Sequence, residues 1–377
     1  MRKFSASVIL VMMMVIVALY GSAHADVFYL TDSGVLGRIS VYGWDSADIY
    51  GTQYTTSWSS PFLGSYWNGS TTRVILVDRT TDTTTSGDTA LVFNPSDLTQ
   101  PESTSKVLAG VYYAQAMAGS DNGRSVFFAS GSSIHEFSTG DFSLRRSYTY
   151  RPNTSDDIVS EITGLITGSN VIYALVQQDI SRDMVLGFDG QLREDVSSFE
   201  RRYLAEEAAA ISWLNGARVA AAHEYGVDVW YDNRGFVHLL SSDFPVKAVC
   251  QDSGSGLYFI EQYESEGTYT TTLNHYTTAG GVKELFTNTE GQICRLVRDG
   301  DNGILAAIVG DELLVYMMEN DAVLGEYDSS ELGGLPDQIT VSAVSGEKSK
   351  SNSGCSITGA GMMVLLLAGV SAVRKRH

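Results

Sequence analysis

The sequence lacks the common signatures of catalytic and cofactor-binding proteins. It has no Gly-x-Ser-x-Gly elbow, no glycine-rich phosphate loop and no HxH or HExxH spacing, so the local motifs of α/β hydrolases, P-loop proteins and zinc proteases are missing. Charged residues make up only 18% of its 377 residues, and there are only three cysteines. Between the two chain ends we find no further apolar span, no heptad repeat and no long amphipathic helix. The sequence therefore predicts no cofactor and favours a non-enzymatic role.

Basic residues are scarce away from the two chain ends. Five of them lie in terminal segments without acids, namely Arg2, Lys3, Arg374, Lys375 and Arg376. The region between holds 20 basic and 44 acidic residues, a net charge of −24. Such a surface repels nucleic acid and anionic lipid. Nucleic-acid binding is therefore not expected.

A hairpin outline repeats along the chain. The stretch from Ser120 to Phe142 runs from a polar turn into an apolar strand, a second turn and a strand with aromatic residues. The outline returns near Gly168, Asn215, Gly254 and Asn302, at steps of 39 to 48 residues. That spacing is typical of a four-stranded propeller blade. Glycine (37 residues) and tyrosine (20 residues) are abundant, which suits many short strands joined by tight turns.

The repeat predicts an all-β fold, a β-propeller of seven blades over residues 26–344, with six or eight blades left open. The units are 26–58, 59–110, 111–153, 156–199, 206–245, 246–291 and 292–331. Ile339–Val344 alternates like a strand and is expected to join the first unit, so that N- and C-terminal strands close one blade. The body thus resembles a generic WD40/YVTN-like β-propeller. A sandwich pair or a β-helix stays open as an alternative.

Side-chain size gives further expectations for the blades. The small residues Ala220–Ala222 suit a crowded second strand, and Trp213, Phe259 and Tyr316 should fill the space between sheets. The only good helix candidate is Ser198–Ile211, which is rich in helix formers, although one helical turn or a loop is also open there.

Residues 1–25 are interpreted as a cleaved secretory signal. Arg2 and Lys3 precede the apolar run Val8–Leu19, and Ala23-His-Ala25 offers the small residues of a cleavage site, so the mature chain would begin at Asp26. An uncleaved anchor helix is the alternative, for which the apolar run is short. The signal implies signal peptidase as a partner and an exported protein.

The C-terminal end carries a second predicted targeting signal. A polar linker (345–354) leads to Gly354-Cys355, an uncharged stretch to Val373 and a terminal basic cluster. This order resembles the Cys-containing sorting tails of bacterial surface proteins, the SYNERG-CTERM and MYXO-CTERM types, akin to GlyGly-CTERM tails. The resemblance covers about two dozen residues (355–377). It implies bacterial surface display and membrane contact until a rhomboid-like protease cleaves near Gly354 and Cys355. Cys355 would then be either exposed as a new terminus or modified with lipid. A simple single-span anchor is the alternative.

Metal sites are weakly indicated. Asp299 and Asp301 in Asp299-Gly-Asp-Asn-Gly303 resemble the start of a calcium loop, but the same place in other units holds a hairpin turn, which we favour. The insertion Asp78–Asp88 carries three acids, and a solvated loop is its favoured interpretation. The histidines do not have zinc spacing in sequence, although blades can gather ligands from distant positions. We list His135, His223, His238 and His275 as the scattered candidates.

Cysteines and tyrosines complete the candidates. Cys250 and Cys294 could form a disulfide in an oxidising compartment, but their offset along aligned hairpins makes buried thiols equally acceptable. Exposed aromatic rings at turns could bind a glycan or a protein, but tyrosine is also an ordinary strand residue, and packing is the favoured interpretation for most of the candidates. The tyrosines near predicted turns or outer strands are Tyr112, Tyr113, Tyr148, Tyr150, Tyr263 and Tyr269.

Three functions remain open from the sequence. The first is an exported, surface-displayed propeller of the cell envelope that binds an unknown protein or glycan through loops on one face. The second is a propeller hydrolase or lyase with acids and histidines or tyrosines converging at the axis. The third is a structural envelope protein. The repeat scaffold, the predicted targeting signals and the absence of a catalytic motif favour the first function, the binding propeller.

Overall fold

The molecule is a seven-bladed β-propeller. The structure is a computed structural model and describes residues 23–42, 46–51, 53–80, 86–151, 160–168, 171–178, 182–189, 192, 202–214, 218–231, 235–342 and 356–357. Its strands form seven antiparallel sheets, in which neighbours are mostly consecutive in sequence and a C-terminal strand is added to each of two sheets. The predicted all-β propeller with seven blades is therefore confirmed.

The first sixteen strands of the chain form blades 1 to 4, and one strand from the C-terminal end completes blade 1. Blade 1 uses β1 (Ala23–Thr31), β2 (Val35–Tyr42), β3 (Ser46–Ile49) and β4 (Tyr54–Thr55). Blade 2 uses β5 (Pro61–Trp67), β6 (Thr72–Asp78), β7 (Gly87–Phe93) and β8 (Lys106–Ala109). Blade 3 uses β9 (Ala116–Gly119), β10 (Ser125–Ser130), β11 (Ser133–Ser138) and β12 (Leu144–Thr149). Blade 4 uses β13 (Ser160–Gly168), β14 (Val171–Gln178), β15 (Met184–Asp189) and β16 (Arg202–Tyr203).

In blades 5 to 7 the chain runs from the inner strands to the outermost strand. Blade 5 uses β17 (Ala208–Leu214), β18 (Arg218–His223), β19 (Gly226–Tyr231) and β20 (Gly235–Ser241). Blade 6 uses β21 (Val246–Gln251), β22 (Leu257–Ser265), β23 (Thr268–Thr277) and β24 (Gly281–Asn288). Blade 7 uses β25 (Ile293–Asp299), β26 (Ile304–Gly310), β27 (Glu312–Met317) and β28 (Ala322–Tyr327). Three elements complete the described chain, α1 (Ser329–Leu332), β29 (Pro336–Val341) and β30 (Ser356–Ile357).

Both ends of the propeller meet in blade 1. Strand β29 pairs with β1, placing Tyr29 opposite Ile339 and Val27 opposite Val341. The C-terminal strand is therefore the innermost strand of this blade, and the N-terminal segment supplies the others. The predicted closure is confirmed, with the strand at residues 336–341. This pairing removes the free sheet edges that an open ring would expose. Strand β30 adds to the inner edge of β17.

The core lies between the blades. Seven clusters of buried side chains fill the seven interfaces. Trp213 packs between blades 4 and 5, Phe259 between blades 5 and 6, and Tyr316 between blades 6 and 7. Ala220–Ala222 lie in the second strand of blade 5. These placements agree with the sequence expectations.

The helix predicted at Ser198–Ile211 is wrong over its described part. Residues 202–203 and 208–211 belong to β16 and β17. Ala210 and Leu214 pack towards blade 6, whereas Ile211 and Trp213 pack towards blade 4. Burial on both faces with a period of two therefore overrides the helix propensity of the alanines.

Candidate functional site

The recurring turn between the first and second strands explains the calcium-like sequence. Asp299 Oδ1 accepts the backbone N–H groups of Asp301 and Asn302 at 3.2 and 3.1 Å, and its Oδ2 accepts the Asn302 side-chain amide at 2.7 Å. Asp252 Oδ1 does the same in blade 6, from the N–H groups of Gly254 and Gly256. Such carboxylates cap a turn from within. Asp299 is fully buried, and among the described residues neither Asp299 nor Asp301 belongs to a group of three close ligands.

The acidic insertion at Asp78–Asp88 ends in a structural carboxylate. Asp88 is fully buried and accepts three backbone N–H groups, from Thr80 at 2.8 Å, Tyr113 at 2.9 Å and Ala114 at 2.7 Å. Burial raises the pKa of Asp88, and these hydrogen bonds and Arg79 oppose the rise. The carboxylate ties the third strand of blade 2 to the segment that enters blade 3.

Asp183 has the same role in blade 4, and the sequence analysis missed this repeat. Its carboxylate accepts the N–H groups of Gln178 and Ala208 at 3.2 and 2.9 Å. Burial raises its pKa to about 6, against the effect of those hydrogen bonds. Both aspartates stand in a Ser-x-Asp-x-x-Leu-x-Phe pattern, at 86–93 and 181–188. That shared pattern was the available signal.

Cys250 and Cys294 are both buried thiols, and no disulfide joins them. The bridge considered from the sequence is therefore absent from this structure. Cys250 is the next-to-last residue of β21, whereas Cys294 is the second residue of β25. Adjacent innermost strands run in the same direction, and the two positions differ by three residues along them, an offset of about 10 Å at roughly 3.3 Å per residue. A disulfide needs Cα atoms within about 7 Å.

The predicted processing sites fall at the margins of the described chain. Ala25 is buried in β1 opposite Val41. Gly354 and Cys355 lie outside the described residues, as does most of the predicted tail. Within the described residues, none of the helices has the length and apolar character that crossing a bilayer requires.

A polar cluster in blade 5 brings together three of the strands. His223 ends β18, Asp228 lies in β19, and His238 and Ser241 lie in β20. Asp228 Oδ1 is 3.2 Å from His223 Nε2 and 2.9 Å from His238 Nδ1. His238 Nε2 is 2.9 Å from the Ser241 hydroxyl. We call these four residues the blade-5 cluster. Three of them, His223, Asp228 and His238, form the one group of close histidine and acidic ligands found among the described residues.

Burial and charge differ sharply across the blade-5 cluster. The side chains of His223 and Asp228 are 5% and 10% exposed, whereas that of His238 is 47% exposed. Burial would raise the pKa of Asp228, but the two neighbouring histidines outweigh burial and lower it. Asp228 is therefore a carboxylate at neutral pH, and His238 and Ser241 are exposed residues.

The histidines are not gathered at the axis. His223 lies in a second strand, His135 and His275 lie in third strands, and His238 lies in an outermost strand. In the part of the chain that the structure describes, none of these four is on an innermost strand. The geometry therefore gives no support to an axial site built on them.

Two of the six candidate tyrosines are exposed. Tyr263 and Tyr113 are 44% and 38% exposed, whereas Tyr150 is 2% exposed. Tyr112, Tyr148 and Tyr269 are half-buried. Exposed and buried tyrosines could not be separated from the sequence alone, because tyrosine also packs well between sheets.

Three exposed rings lie on one face of blades 5 and 6. Tyr225 is in the turn between β18 and β19, Phe244 is in the segment entering blade 6, and Tyr263 is near the end of β22. They are 54%, 40% and 44% exposed. The Phe244 and Tyr263 rings are in contact, with centroids 4.9 Å apart and planes at 45°. We call these residues the aromatic patch.

Ser242 fixes the backbone beneath the aromatic patch. Its N–H donates to the Tyr225 carbonyl at 3.0 Å, and its hydroxyl accepts the Phe244 N–H at 3.1 Å. The hydroxyl also contacts the Glu261 carboxylate, and the other Glu261 oxygen accepts the Asn274 side-chain amide at 2.8 Å. The rings are therefore presented on an ordered surface that carries carboxylate oxygens.

Comparison with known proteins supports the fold. No family model matches the chain, and no curated protein matches it in sequence. A "putative 6-phosphogluconolactonase" structure from Bacteroides fragilis is similar with a TM-score of 0.58 at 10% identity, covering 84% of this chain and 97% of that one. Its counterpart from Bacteroides uniformis has a TM-score of 0.56 at 13% identity, covering 85% and 100%. The WD40 domain of Toxoplasma gondii coronin has a TM-score of 0.51 at 10% identity, covering 71% and 70%. These likenesses show the propeller fold alone.

Proposed function

We propose that this protein is an exported, surface-displayed propeller that binds a polysaccharide through the aromatic patch. The observation that carries the proposal is the contacting ring pair Phe244 and Tyr263, which is exposed yet held on hydrogen-bonded backbone. Exposed aromatic rings with a polar rim are typical of binding sites. Signal and sorting features in the sequence support export and display.

The chemistry around the rings favours a sugar polymer over an anionic ligand. An aromatic face packs against the C–H groups of a sugar ring, and the Tyr225 and Tyr263 hydroxyls can hydrogen-bond its hydroxyl groups. Nearby Glu224, Asp243 and Glu264 are exposed acids, and acids accept hydrogen bonds from hydroxyl groups but repel phosphate or sulfate. A neutral, hydroxyl-rich polymer therefore fits this face.

Affinity measurements on neutral cell-wall polysaccharides test the binding proposal. The full chain should bind at least one of them, and Tyr263→Ala should weaken binding about tenfold or more, as loss of a stacked ring implies. Tyr50→Ala is the matched control, because Tyr50 is 50% exposed in blade 1 and should leave binding unchanged. Equal effects of the two variants, or capture of a protein partner with no polysaccharide bound, would contradict the proposal.

Export is tested separately from ligand binding. Cell fractionation should find the protein in the envelope, and sequencing of its mature N-terminus should begin at Asp26. A Cys355→Ser variant should change its release or retention if the tail is processed near that residue. A cytosolic protein with both ends intact would refute export without bearing on the aromatic patch.

A further inference from the structure

The blade-5 cluster contains a connected line of hydrogen bonds from a hydroxyl to a buried carboxylate. The Ser241 hydroxyl lies 2.9 Å from His238 Nε2, and His238 Nδ1 lies 2.9 Å from Asp228 Oδ1. The serine and the imidazole are exposed, whereas the aspartate is buried. A nucleophile, a base and an orienting acid in this order define a serine-hydrolase triad by geometry, whatever the fold.

A β-bulge places the two reactive side chains on the same face. Residues three apart in a regular strand point to opposite faces. Here His238 pairs with Asp228 while Leu240 pairs with Val227, which leaves Leu239 as an extra residue. The bulge therefore turns Ser241 back to the side of His238 and Asp228. The outermost strand of blade 6 has the same kind of bulge. There Thr287 donates a hydrogen bond to Glu284, three residues earlier, at 3.1 Å.

The protons of the cluster can be assigned from its partners. The ionised Asp228 accepts from His238 Nδ1–H, so the lone pair on His238 Nε2 is left to accept the Ser241 O–H. The Tyr225 N–H donates to His223 Nδ1 at 3.2 Å, so neutral His223 carries its proton on Nε2. That buried nitrogen faces Asp228 Oδ1 at 3.2 Å without the geometry of a hydrogen bond.

This assignment favours proton transfer over metal binding. A metal ion among His223, Asp228 and His238 would need a lone pair on His223 Nε2, and would therefore cost the Tyr225 hydrogen bond. Proton transfer needs no rearrangement, because the Ser241 hydroxyl already points its proton at the base. The charge of Asp228 would also stabilise the imidazolium that forms.

We propose that Ser241, His238 and Asp228 form a site that hydrolyses carboxylic esters, independently of the proposed binding role. Ser241 Oγ attacks the ester carbonyl as its proton passes to His238 Nε2, and the carbon–oxygen bond to the leaving alkoxide breaks as His238 returns that proton. Water then attacks the acyl-serine, with His238 again the base, which releases the carboxylic acid and restores Ser241. Asp228 is a positioning residue that holds the imidazole.

The exposure of the site indicates the kind of ester. His238 is about half exposed on the outermost strand, so the described residues leave this edge open and do not enclose a small molecule there. Such an open edge suits a short acyl group carried on a large molecule, for example an ester-substituted polymer. An activated aryl ester is the appropriate first probe, since its leaving group departs easily.

Fluorophosphonate labelling and p-nitrophenyl acetate hydrolysis by the full chain test the proposal. Peptide mass spectrometry should place the phosphonyl label on Ser241, and Ser241→Ala should lose the label and at least tenfold in hydrolysis rate. Ser147→Ala is the matched control, because Ser147 is also an exposed outer-strand serine 3.0 Å from a histidine, His135, and the ion pairs found between histidine and carboxylate groups in the described chain do not include His135. It should retain full activity.

The roles of the other two residues have their own readouts. His238→Ala should abolish labelling, while Asp228→Asn should lower the rate and move the pH at which activity rises, with the melting temperature measured alongside. Absence of label on Ser241, or an unchanged rate in Ser241→Ala, would overturn the proposal. Hydrolysis that survives in Ser241→Ala but not in His238→Ala would also overturn it, since the imidazole alone would then be the nucleophile.

Discussion

The imidazole of His275 is stacked on the ring of Tyr258, with centroids 4.2 Å apart and planes 19° apart. Its Nε2 lies 3.3 Å from Asp252 Oδ2 and its Nδ1 lies 2.9 Å from Asp321 Oδ1. Lys283 also pairs with Asp321 at 2.9 Å. Asp321 belongs to blade 7 and the other residues to blade 6, so this cluster clamps two blades together.

The clamp should make stability depend on pH. Burial would lower the pKa of His275, but the two carboxylates outweigh it and raise the pKa above 6.5. Its contribution is therefore complete below pH 6.5 and is lost as pH rises through the folded-state pKa. The pKa values of Asp252 and Asp321 lie below 3.8, because hydrogen bonds and His275 outweigh burial, so their contribution is lost only as pH falls below 3.8. The clamp should be strongest between these limits.

Replacing His275 tests that pH dependence. His275→Gln should cost about 3 kcal/mol at pH 5.5, as expected when one partner of a buried ion pair is removed, and less at pH 8. Urea unfolding at both pH values measures the difference. His135→Gln is the control, because burial lowers the pKa of His135 and its contribution should grow as pH rises. A His275 variant that loses equal stability at both pH values would contradict the clamp.

Replacing Asp88 should destabilise the fold strongly, because this buried carboxylate accepts three backbone hydrogen bonds. Asp88→Ala leaves the backbone N–H groups of Thr80, Tyr113 and Ala114 without their acceptor, and a buried group left unsatisfied costs about 1–3 kcal/mol. We expect a loss of about 3 kcal/mol or more in the free energy of unfolding, measured by urea titration. Asp97→Ala is the comparison, because Asp97 caps an exposed turn, and its effect should be much smaller. Equal losses would mean that Asp88 is not a structural acceptor.

The sequence revealed what the repeat itself encodes. The polar turns near Asn122, Asp252 and Asp299 mark the start of the second strand in blades 3, 6 and 7, because a side-chain cap keeps the same place in these three hairpins. The closing strand at Ile339 showed itself by alternation. The paired roles of Asp88 and Asp183 were also readable, as a repeated pattern.

The sites depend on features that sequence spacing does not carry. His238 and Ser241 meet only because Leu239 forms a bulge, and a bulge leaves no pattern in hydrophobicity. Tyr263 is exposed and Tyr150 is buried although both lie near strand ends, because exposure depends on the neighbouring blade. Phe244 was not singled out, since its ring becomes significant only beside Tyr263.

Gly226 should be essential for the backbone that supports the blade-5 cluster. It begins β19 with φ +138°, and a Cβ there would lie 1.9 Å from the Leu240 carbonyl oxygen, so any side chain must displace β20. Gly226→Ala should therefore cost about 3 kcal/mol or more, by strain at positive φ together with overpacking. It should also separate His238 from Asp228, which histidine NMR signals would report.

Gly267→Ala is the matched control for backbone strain. Gly267 also has positive φ, +80°, but a Cβ there meets nothing within 4 Å. Its cost should be limited to the left-handed conformation, about 1 kcal/mol, with the histidine signals of blade 5 unchanged. If both variants behaved alike, the close approach of Gly226 to Leu240 would not be what sets the geometry of β19 and β20.

Thiol reactivity should distinguish buried cysteines from a bridge. Burial raises the pKa of Cys294 to about 12, and Cys250 is fully buried, so neither should react with a thiol reagent in the native protein. A Cys355→Ser chain, unfolded without reductant, should then release two reactive thiols, because the offset of β21 and β25 keeps the pair beyond disulfide reach. A count of zero would mean that Cys250 and Cys294 are bridged, which would contradict the two buried thiols of this structure.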